Sequence, residues 1–475
     1  HIRTAVVTRA SPNMLNYFDA ADIPGIRRDY PIGPAFLERF RGMSRDELRA
    51  TQEARFSRVL EFAWKVPFYQ RLWGAQGIAP GDIRGLDDLS KLPTYSKSDL
   101  MESVERCPPL GDFDGQAAHP AWARPQIIIQ TTSGTTGRPQ PLLYGPKSRE
   151  LQNALLARVY LLQGMSSSDV VHSVYGFGMV NGGHYIRETV SHWIGARLLS
   201  AGTGVETRSA QQAALMRDFG ATVLVGFGDF LRRLAEVARE NGIEPGRDIR
   251  LRMITGHLGP EGRDPISSVW GGCPVYDWYG VGDTGLIAGE GPDMDGMYVM
   301  EDAQYLELID SDSGAPAAPG ERGDMVCTCL YKDDIFPIIR FNTHDVTEEL
   351  SGTSSIGLPF RRILGFRGRS DNMVKLRGIN VYPTAIGALL TAERSDYAGE
   401  FLCEVSREGN RDEMTVFAEV RSALSDTLRT DYEALLRARL GVDMKVQLCA
   451  PGSLAERTGV ESRQKPVRLF DLRKG

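Results

Sequence analysis

Residues 131–141, TTSGTTGRPQP, combine glycines and hydroxyls in a pattern suited to binding phosphate. Glycine lets the backbone curl at little steric cost, so several amide N–H groups can point at one anion. Further donors come from side-chain hydroxyls, which belong to Thr131, Thr132, Ser133, Thr135 and Thr136. Arg138 adds a fixed positive charge, and a predicted strand, 127–129, leads into the segment. We therefore predict a loop that holds the phosphates of a nucleotide.

Two other interpretations of this loop stand beside that one. The P-loop of NTPases reads G-x-x-x-x-G-K-[ST]. No Gly-Lys-Ser/Thr follows here, and Pro139 interrupts the chain where a helix would begin. An ordinary polar loop has a similar composition, because Gly, Ser and Thr often cluster in loops.

Three predicted strands downstream each end at glycine, in the segments 222–228, 252–256 and 274–280. Helical stretches separate them, including one that Ser209 is expected to cap, and this alternation predicts βαβ units with a parallel sheet. Ligands of such sheets bind at the carboxyl ends of the strands. Three glycine-bearing strand ends therefore predict a flat slot for a planar ring.

The two ends of the chain differ from this central pattern. Residues 1–43 are expected to be irregular, and Ser44 to Glu47 form a capping-box signature for a helix that runs to about Trp64. From residue 401 the pattern becomes two paired strands around a turn at 409–410, a helix over 425–440 and a last strand over 445–449. The predicted fold is therefore α/β, with a large N-terminal domain and a small α+β C-terminal domain.

Composition excludes several classes of function. The chain has 475 residues, 42% hydrophobic and 24% charged, which is enough for more than one domain. A net charge of −6 gives no electrostatic case for nucleic acid or an anionic membrane, and no apolar run reaches membrane-spanning length. The six cysteines are scattered without a CxxC pair, which favours a reducing, cytoplasmic location over zinc or disulfides.

Taken in order, these motifs resemble the adenylate-forming (acyl-activating) enzymes, and in particular their phenylacetate–CoA ligase branch. The loop is similar to that family's S/T-S/T-G-T-T-G-K-P, with Arg138 at the lysine position. The segment VPFYQRLW, residues 66–73, resembles the N-terminal region of the same branch, which helps build an aryl-acid pocket. The resemblance covers nearly the whole chain.

The resemblance implies residues for ATP. Tyr279 falls on a tyrosine that stacks on adenine, and Asp283 on a glutamate that binds the magnesium of ATP; Gly282 stands at that motif's hydroxyl position. A cap for a following helix is the structural alternative for Asp283. Asp345 falls on the carboxylate that binds the ribose hydroxyls, with a salt bridge to Arg340 as its alternative. The implied nucleotide-binding set is Thr132, Ser133, Gly134, Thr135, Thr136, Gly137, Gly256, His257, Asp277, Trp278, Tyr279, Gly280, Asp345 and Arg369.

The resemblance also implies a hinge and a mobile C-terminal lid. Asp371 matches the pivot, which divides the chain into an acid- and ATP-binding domain, 1–369, and a lid, 370–475. Lys465 falls on a lysine that meets the carboxylate and the α-phosphate, with Lys445 and Lys474 as rivals. The implied catalytic set is Lys465, Arg138 and Asp283, and the implied CoA-binding set is Arg377, Gly378 and Asn380.

An aromatic acid pocket is implied by aromatic residues, glycines and a histidine in three segments. The implied acid-binding set is Tyr175, Phe177, Gly178, Gly183, His184, Phe227 and Gly280. Aromatic walls suit a flat apolar substrate body. His184 either contacts the substrate or is a structural donor, and the sequence leaves both open.

The implied reaction uses ATP, Mg²⁺ and CoA to convert an aryl or arylacetic acid, through an acyl-adenylate, to an acyl-CoA thioester. One alternative is an adenylating enzyme that transfers the acyl group to a carrier-protein thiol or an amine. Departures from the family pattern at Arg138, Gly282, Asp283, Leu258, His344 and Gly387 keep it open. Another is a non-catalytic nucleotide- or acyl-binding protein. Similar enzymes are often dimers, so a homodimer is also expected.

Overall fold

The computed structural model describes residues 15–133, 138–259, 262–409, 411–463 and 465–474. Those before position 370 form a large α/β unit, which we call the body, and residues 370–475 include a smaller α+β unit, which we call the lid. The predicted fold class is confirmed. The division at 369/370 stays a prediction.

Helices flank the sheets of both units. Those of the body are α1 (Tyr17–Ala21), α2 (Ile23–Asp29), α3 (Gly33–Phe40), α4 (Arg45–Ala63), α5 (Pro67–Gly74), α6 (Lys97–Arg106), α7 (Pro146–Leu162), α8 (Asn181–Glu188), α9 (Ser209–Asp218), α10 (Gly228–Glu240) and α11 (Asp264–Val269). Those of the lid are α12 (Ile386–Glu393), α13 (Asp426–Leu440) and α14 (Ala455–Thr458).

The irregular N-terminal stretch predicted from the sequence is wrong over its described part. Residues 17–40 form three short helices, α1 to α3, and Asn16 and Asp22 cap the first two through their side chains. Proline in the first turn of α2 and α3 suits a helix start, because the N–H it lacks has no partner inside the helix. Their short length hid them from a search for helical periodicity.

Two predictions about helix starts had different outcomes. The capping box of α4 is confirmed, since the Ser44 side chain accepts from the Glu47 N–H and the Glu47 carboxylate accepts from the Ser44 N–H. The cap predicted for α9 is wrong, because Arg208 occupies the N-cap position and Ser209 is the first helical residue. Sequence patterns fix the ends of helices only to within one or two residues.

The strands of the body are β1 (Ile128–Thr131), β2 (Pro141–Tyr144), β3 (Val170–Ser173), β4 (Arg197–Ser200), β5 (Val223–Phe227), β6 (Met253–His257), β7 (Val275–Val281), β8 (Gly285–Glu290), β9 (Met297–Val299), β10 (Gln304–Ile309), β11 (Arg322–Cys329), β12 (Phe341–Leu350) and β13 (Arg362–Ile363). In the lid they are β14 (Val374–Leu376), β15 (Ile379–Val381), β16 (Tyr397–Glu408), β17 (Arg411–Val420), β18 (Lys445–Cys449) and β19 (Leu469–Asp471).

The main sheet of the body has the strand order β10-β11-β12-β13-β9-β8-β7-β6-β5-β3-β4. Strands β4, β3, β5, β6 and β7 are parallel to their neighbours, whereas β7 pairs antiparallel with β8 and the remaining strands continue antiparallel. The predicted parallel arrangement is confirmed for β5, β6 and β7. Strands β1 and β2 form a separate antiparallel pair, and the predicted phosphate loop connects them.

The lid has its own hydrophobic core, formed by residues from β14 to β18 together with α12 and α13. Strands β16 and β17 pair antiparallel, α13 begins after Ser425 and ends at Gly441, and β18 joins β17. The predicted order of two strands, a helix and a strand is therefore confirmed. The sequence missed β19, a short parallel partner of β16 that begins four residues after Lys465.

Across the described residues, no helix combines the length and apolar character needed to span a bilayer.

Candidate active site

The ends of strands β5, β6 and β7 lie side by side and form the floor of the site. Glycine is required where β6 approaches β5 and where β7 approaches β8. A Cβ on Gly256 would lie 1.8 Å from the Gly226 carbonyl oxygen of β5, and one on Gly280 would lie 2.4 Å from the Gly285 oxygen of β8. The predicted convergence of glycine-bearing strand ends is confirmed, and its physical reason is backbone-to-backbone contact.

An aromatic cluster, Tyr175, Phe227, His257 and Trp278, covers these strand ends. His257 stacks on Phe227 with ring centroids 4.8 Å apart and an interplanar angle of 15°, and its centroid lies 4.1 Å from that of Trp278. The Tyr175 hydroxyl lies 2.8 Å from His257 Nδ1. The structure therefore packs His257, predicted as a nucleotide residue, among the predicted acid-binding aromatics.

His257 is uncharged at neutral pH. Burial holds the pKa of its imidazole well below the ordinary value, and the neighbouring Lys465 ammonium lowers it further. A neutral ring can stack in an apolar cluster without the cost of burying a charge.

The lid brings Lys465 to this cluster. The Lys465 Nζ lies 5.8 Å from the centroid of the Phe227 ring, within cation–π range. The Lys465 side chain is exposed to solvent over part of its surface. Desolvation by the surrounding protein lowers the pKa of the ammonium, and the Asp345 carboxylate opposes that shift. The rival Lys445 instead pairs with Glu408 on the lid surface, at 2.6 Å.

Asp345, the predicted ribose residue, is fixed by two donors. The Tyr279 hydroxyl donates to Asp345 Oδ2 over 2.7 Å, and Arg369 Nη1 donates to Oδ1 over 2.9 Å. Arg369 also forms a two-point ion pair with Asp371, the predicted hinge residue. The alternative pairing of Asp345 with Arg340 is wrong, because Arg340 pairs with Glu307.

His344 occupies a position where the similar enzymes have glycine, and its backbone conformation explains why glycine is common there. Its φ of +56° lies in the left-handed region that glycine adopts freely. The ring lies near Asp324, with Nδ1 3.3 Å from the carboxylate. The chain keeps the turn conformation here without the glycine.

Asp283, the predicted metal residue, is buried beneath the phosphate loop. Gln140 Nε2 donates to Asp283 Oδ1 over 2.7 Å, and Lys332 Nζ donates to the Asp283 carbonyl over 3.0 Å. Burial raises the pKa of the Asp283 carboxyl to about 6, although Lys332 and Gln140 counteract it. The helix-cap alternative is wrong, because strand β8 follows.

The phosphate loop is described only at its two ends. Gly134, Thr135, Thr136 and Gly137 lie outside the described residues. At its base the Thr132 N–H donates to the Gln140 carbonyl over 3.0 Å, and the Gln140 N–H donates to Thr132 Oγ1 over 3.1 Å. Ser133 and Arg138 are exposed at its rim. Gln140 thus joins the loop to Asp283.

The sequence analysis missed Gln140, although it belongs to a segment that was singled out, and Lys332, which does not. Gln140 lies within TTSGTTGRPQP, and Lys332 precedes the segment of Asp345. Lys332 is fully buried, and its Nζ lies 5.3 Å from the Tyr144 ring centroid and 5.4 Å from that of Phe336. A sequence does not distinguish a buried lysine from an exposed one, so the burial of Lys332 is visible only in the folded structure.

Asp277 lies beside the cluster, between β6 and β8. Its Oδ1 accepts from the Leu258 N–H over 3.2 Å, and the Asp277 N–H donates to Glu290 Oε2 over 2.7 Å. Burial and the Glu290 charge raise the pKa of Asp277 to about 8. At neutral pH this carboxyl is therefore mostly protonated and has a hydrogen to donate.

The glycine-rich segment after Tyr175 folds back on itself. The Gly183 N–H donates to the Gly176 carbonyl over 2.8 Å, and a Cβ on Gly183 would lie 2.6 Å from that oxygen. His184 Nε2 lies 2.8 Å from the Gly178 carbonyl, and its ring meets the edge of Phe177. These contacts support the structural alternative for His184.

The predicted CoA residues lie on the β14–β15 hairpin of the lid. Arg377 pairs with Glu413 at 2.7 Å, and both are lid residues. Arg377 and Gly378 have positive φ, +49° and +85°, as the tight turn requires. The side chain of Asn380 lies outside what the structure describes.

The chain is similar to a known family and to characterised ligases along most of its length. Residues 378–473 match the family described as AMP-binding enzyme C-terminal domain. Phenylacetate-coenzyme A ligase of Escherichia coli (strain K12) is 30% identical over 448 residues, which cover 90% of this chain and 95% of that protein. The ligase of the same name from Aromatoleum evansii is 28% identical over 454 residues, 91% and 97% of the two chains.

Two crystal structures of 2-hydroxyisobutyryl-CoA ligase are similar in fold. The one in the postadenylation state, with R3-HIB-AMP, has a TM-score of 0.81 at 27% identity and covers 94% of this chain and 95% of its own. The one in the thioesterification state, with 2-HIB-AMP and CoA, has a TM-score of 0.65 at 28% identity and covers 92% of each chain. The present arrangement of body and lid therefore resembles the postadenylation state more closely.

Proposed function

The chain belongs to the phenylacetate–CoA ligase branch of the adenylate-forming enzymes, and on this basis we propose that it activates an aryl or arylacetic acid. It is an ATP-dependent, AMP-forming acid–CoA ligase. In the first half-reaction the carboxylate attacks the α-phosphorus of ATP, so the acyl-adenylate forms and pyrophosphate leaves. In the second, the CoA thiol attacks the acyl carbonyl, so the thioester forms and AMP leaves.

The position of Lys465 is the observation that carries the assignment of roles within the site. Its ammonium lies 5.8 Å from the centroid of the Phe227 ring, and the Asp345 carboxylate acts to raise its pKa. The cation therefore lies beside a proposed wall for the acid. It is placed to stabilise the charge that develops when the carboxylate meets the α-phosphate.

The aromatic cluster supports an aromatic acid. Tyr175 and Phe227 have ring centroids 5.1 Å apart in an edge-to-face contact, and Trp278 lies behind them. A flat ring that packs on this cluster would gain both apolar burial and aromatic contact, about 0.5–1.5 kcal/mol per pair beyond burial. The curated relatives named above, both phenylacetate–CoA ligases, support the same class of acid.

Asp345 suits ribose binding because its two hydrogen-bond donors leave acceptor positions on the carboxylate for other groups. An ionised carboxylate has about four acceptor positions. Tyr279 and Arg369 each use one, on different oxygens, and hold the group in a single orientation. The remaining positions accept from two neighbouring ribose hydroxyls.

Asp283 fits Mg²⁺ as a single protein ligand. Magnesium usually keeps several waters and takes only one or two carboxylates together with substrate phosphates. Only one Asp283 oxygen accepts the Gln140 amide, and Gln140 ties this carboxylate to the phosphate loop. When bound, Mg²⁺ would neutralise charge on the ATP phosphates.

Release of AMP tests the function. Purified protein is incubated with ATP, Mg²⁺ and CoA and with benzoate-, phenylacetate- and indole-type acids, and AMP and thioester are measured. We expect equal amounts of both with at least one aromatic acid. No AMP across the panel would contradict the proposed acid class. AMP formed only when a carrier-protein thiol or an amine replaces CoA would identify the alternative acceptor.

A further inference from the structure

Arg468, three residues after Lys465, joins the lid to the body. Its Nη2 lies 2.8 Å from Asp229 Oδ2 of the body, and its Nη1 lies 2.6 Å from Glu400 Oε1 of the lid. The guanidinium also packs over the Phe401 ring, 4.7 Å from its centroid. Only 9% of the Arg468 side chain and 23% of the Asp229 side chain are exposed.

Asp229 lies close in sequence to Phe227, the proposed wall of the acid pocket. It lies in the first turn of α10, two residues after Phe227, the residue that Lys465 faces. Asp229, which pairs with Arg468, and Phe227, which lies against Lys465, are therefore held in one short segment of the body. A shift of the Asp229–Arg468 pair would shift Lys465 relative to Phe227.

A second link crosses beside the first. Arg232, one turn along α10, pairs with Asp229 at 2.8 Å and donates to the lid carbonyl of Gly399 over 2.8 Å. Gly399 is required there, because its φ is +97° and a Cβ would lie 1.8 Å from Arg232 Nη1. Helix α10 therefore contacts the lid at two points. Asp229 pairs with Arg468 of the lid, and Arg232, which also pairs with Asp229, donates to Gly399.

The chain on the other side of Lys465 is also attached to the body. Arg233 pairs with Glu461 at 2.7 Å, and the Gly204 N–H donates to the Glu461 carbonyl over 2.8 Å. Lys465 thus lies between two attachments, at positions 461 and 468. The Arg468 attachment is the more buried, so solvent and salt screen it least.

Asp229 is ionised at neutral pH. Burial acts to raise the pKa of its carboxyl, but Arg468 and Arg232 outweigh burial and hold that pKa below its usual value. The charge pair is therefore present wherever the enzyme is assayed near neutrality.

We propose that Asp229 and Arg468 form a latch that positions Lys465 for the adenylation half-reaction and is released when the lid turns for the thioester half-reaction. This inference rests on the role of Lys465 proposed above. The latch acts through Lys465, so both members are positioning residues. Breaking the latch should therefore slow the adenylation half-reaction and leave the thioester half-reaction unchanged.

The test separates the two half-reactions. Asp229→Asn keeps the side-chain shape and removes the charge. Adenylation is measured by ATP–pyrophosphate exchange with the best aromatic acid of the panel, and thioester formation by adding CoA to the synthetic adenylate of that acid. We expect exchange kcat to fall about 10- to 100-fold, KM for ATP to change less than 3-fold, and the thioester rate to stay within 2-fold.

Matched variants identify the cause. Asp218→Asn removes an exposed carboxylate that pairs with Arg217 on α9, and we expect wild-type rates in both assays. Adding Arg468→Lys to Asp229→Asn should cost little more than Asp229→Asn alone, because the pair is already broken. If Asp229→Asn does not fold, Arg468→Lys alone carries the same test, since it keeps the charge and loses the fork geometry.

Other outcomes would overturn the latch. Equal losses in both half-reactions would indicate a structural role. Unchanged exchange in Asp229→Asn, beside a large loss in Lys465→Ala, would reject the latch and leave the proposed function intact. Unchanged exchange in Lys465→Ala would reject the role of Lys465, and the latch with it.

Discussion

Lys465 carries the clearest prediction at the scale of a single residue. Replacing it with alanine removes the cation beside Phe227, and the loss of one preorganised electrostatic group typically costs about 10²- to 10³-fold in kcat. We expect a loss of that size in ATP–pyrophosphate exchange. Lys445→Ala, which removes an exposed lid lysine paired with Glu408, is the control and should keep full exchange.

Asp283 gives a prediction about pH and stability. Burial raises its pKa to about 6, against a reference of 3.8. Between these values the folded state binds more protons than the unfolded state, so this residue makes stability fall as pH rises through that window. Above pH 6 the buried charge costs roughly 1–3 kcal/mol.

Asp283→Asn removes this cost and keeps an oxygen that can accept from Gln140. We expect the melting temperature of the variant, minus that of the wild type, to be more positive at pH 8 than at pH 5. Scanning calorimetry at the two pH values measures it. A difference that does not change with pH would mean that Asp283 titrates as an exposed carboxylate. Exchange activity should nevertheless fall, because the proposed metal ligand is lost.

At the scale of elements, the close approach of β5 and β6 makes the site floor sensitive to a single methyl group. Gly256→Ala would place a Cβ 1.8 Å from the Gly226 carbonyl oxygen, and backbone cannot move aside as a flexible side chain does. We expect a loss of more than about 2 kcal/mol, since overpacking against rigid neighbours costs 1–3 kcal/mol or more.

Gly74→Ala is the matched control. Gly74 ends helix α5 with open space around its would-be Cβ, so alanine should leave stability unchanged or raise it by about 0.5–1 kcal/mol. Urea unfolding followed by circular dichroism measures both variants. Equal stability of the two would show that the strand ends relax.

At the scale of the whole molecule, a cleft separates the body from the lid beside the predicted hinge. A cavity of about 610 Å³ lies there, lined by body residues such as His344 and Asn342 and by Asp371, Met373 and Tyr382 of the lid. Little packing therefore opposes rotation at this point, while the attachments at 461 and 468 hold the far side.

Fixing the hinge should block only the second half-reaction. Residues Ser370–Asn372 form a short 3₁₀ helix, whose φ values suit proline, and proline would restrict φ at position 371 during rotation. We expect Asp371→Pro to keep exchange within about 3-fold and to slow thioester formation from the adenylate at least 10-fold. Asp371→Ala loses the Arg369 pair without restricting φ and should form thioester normally. Equal slowing in both variants would implicate the ion pair instead of the rotation.

Periodicity and glycine at strand ends are local features, and they predicted the parallel strands of the body and the order of two strands, a helix and a strand in the lid; the site residues came from a family resemblance. The helices over 17–40 and strand β19 were missed, because they are too short to show a period. Three contacts appear only in the folded chain: Gln140 and Lys332 support Asp283, His257 joins the aromatic cluster, and Asp229 meets Arg468. Those contacts join residues far apart in the chain, and the pKa shifts at the site arise from burial, which exists only once the chain is folded.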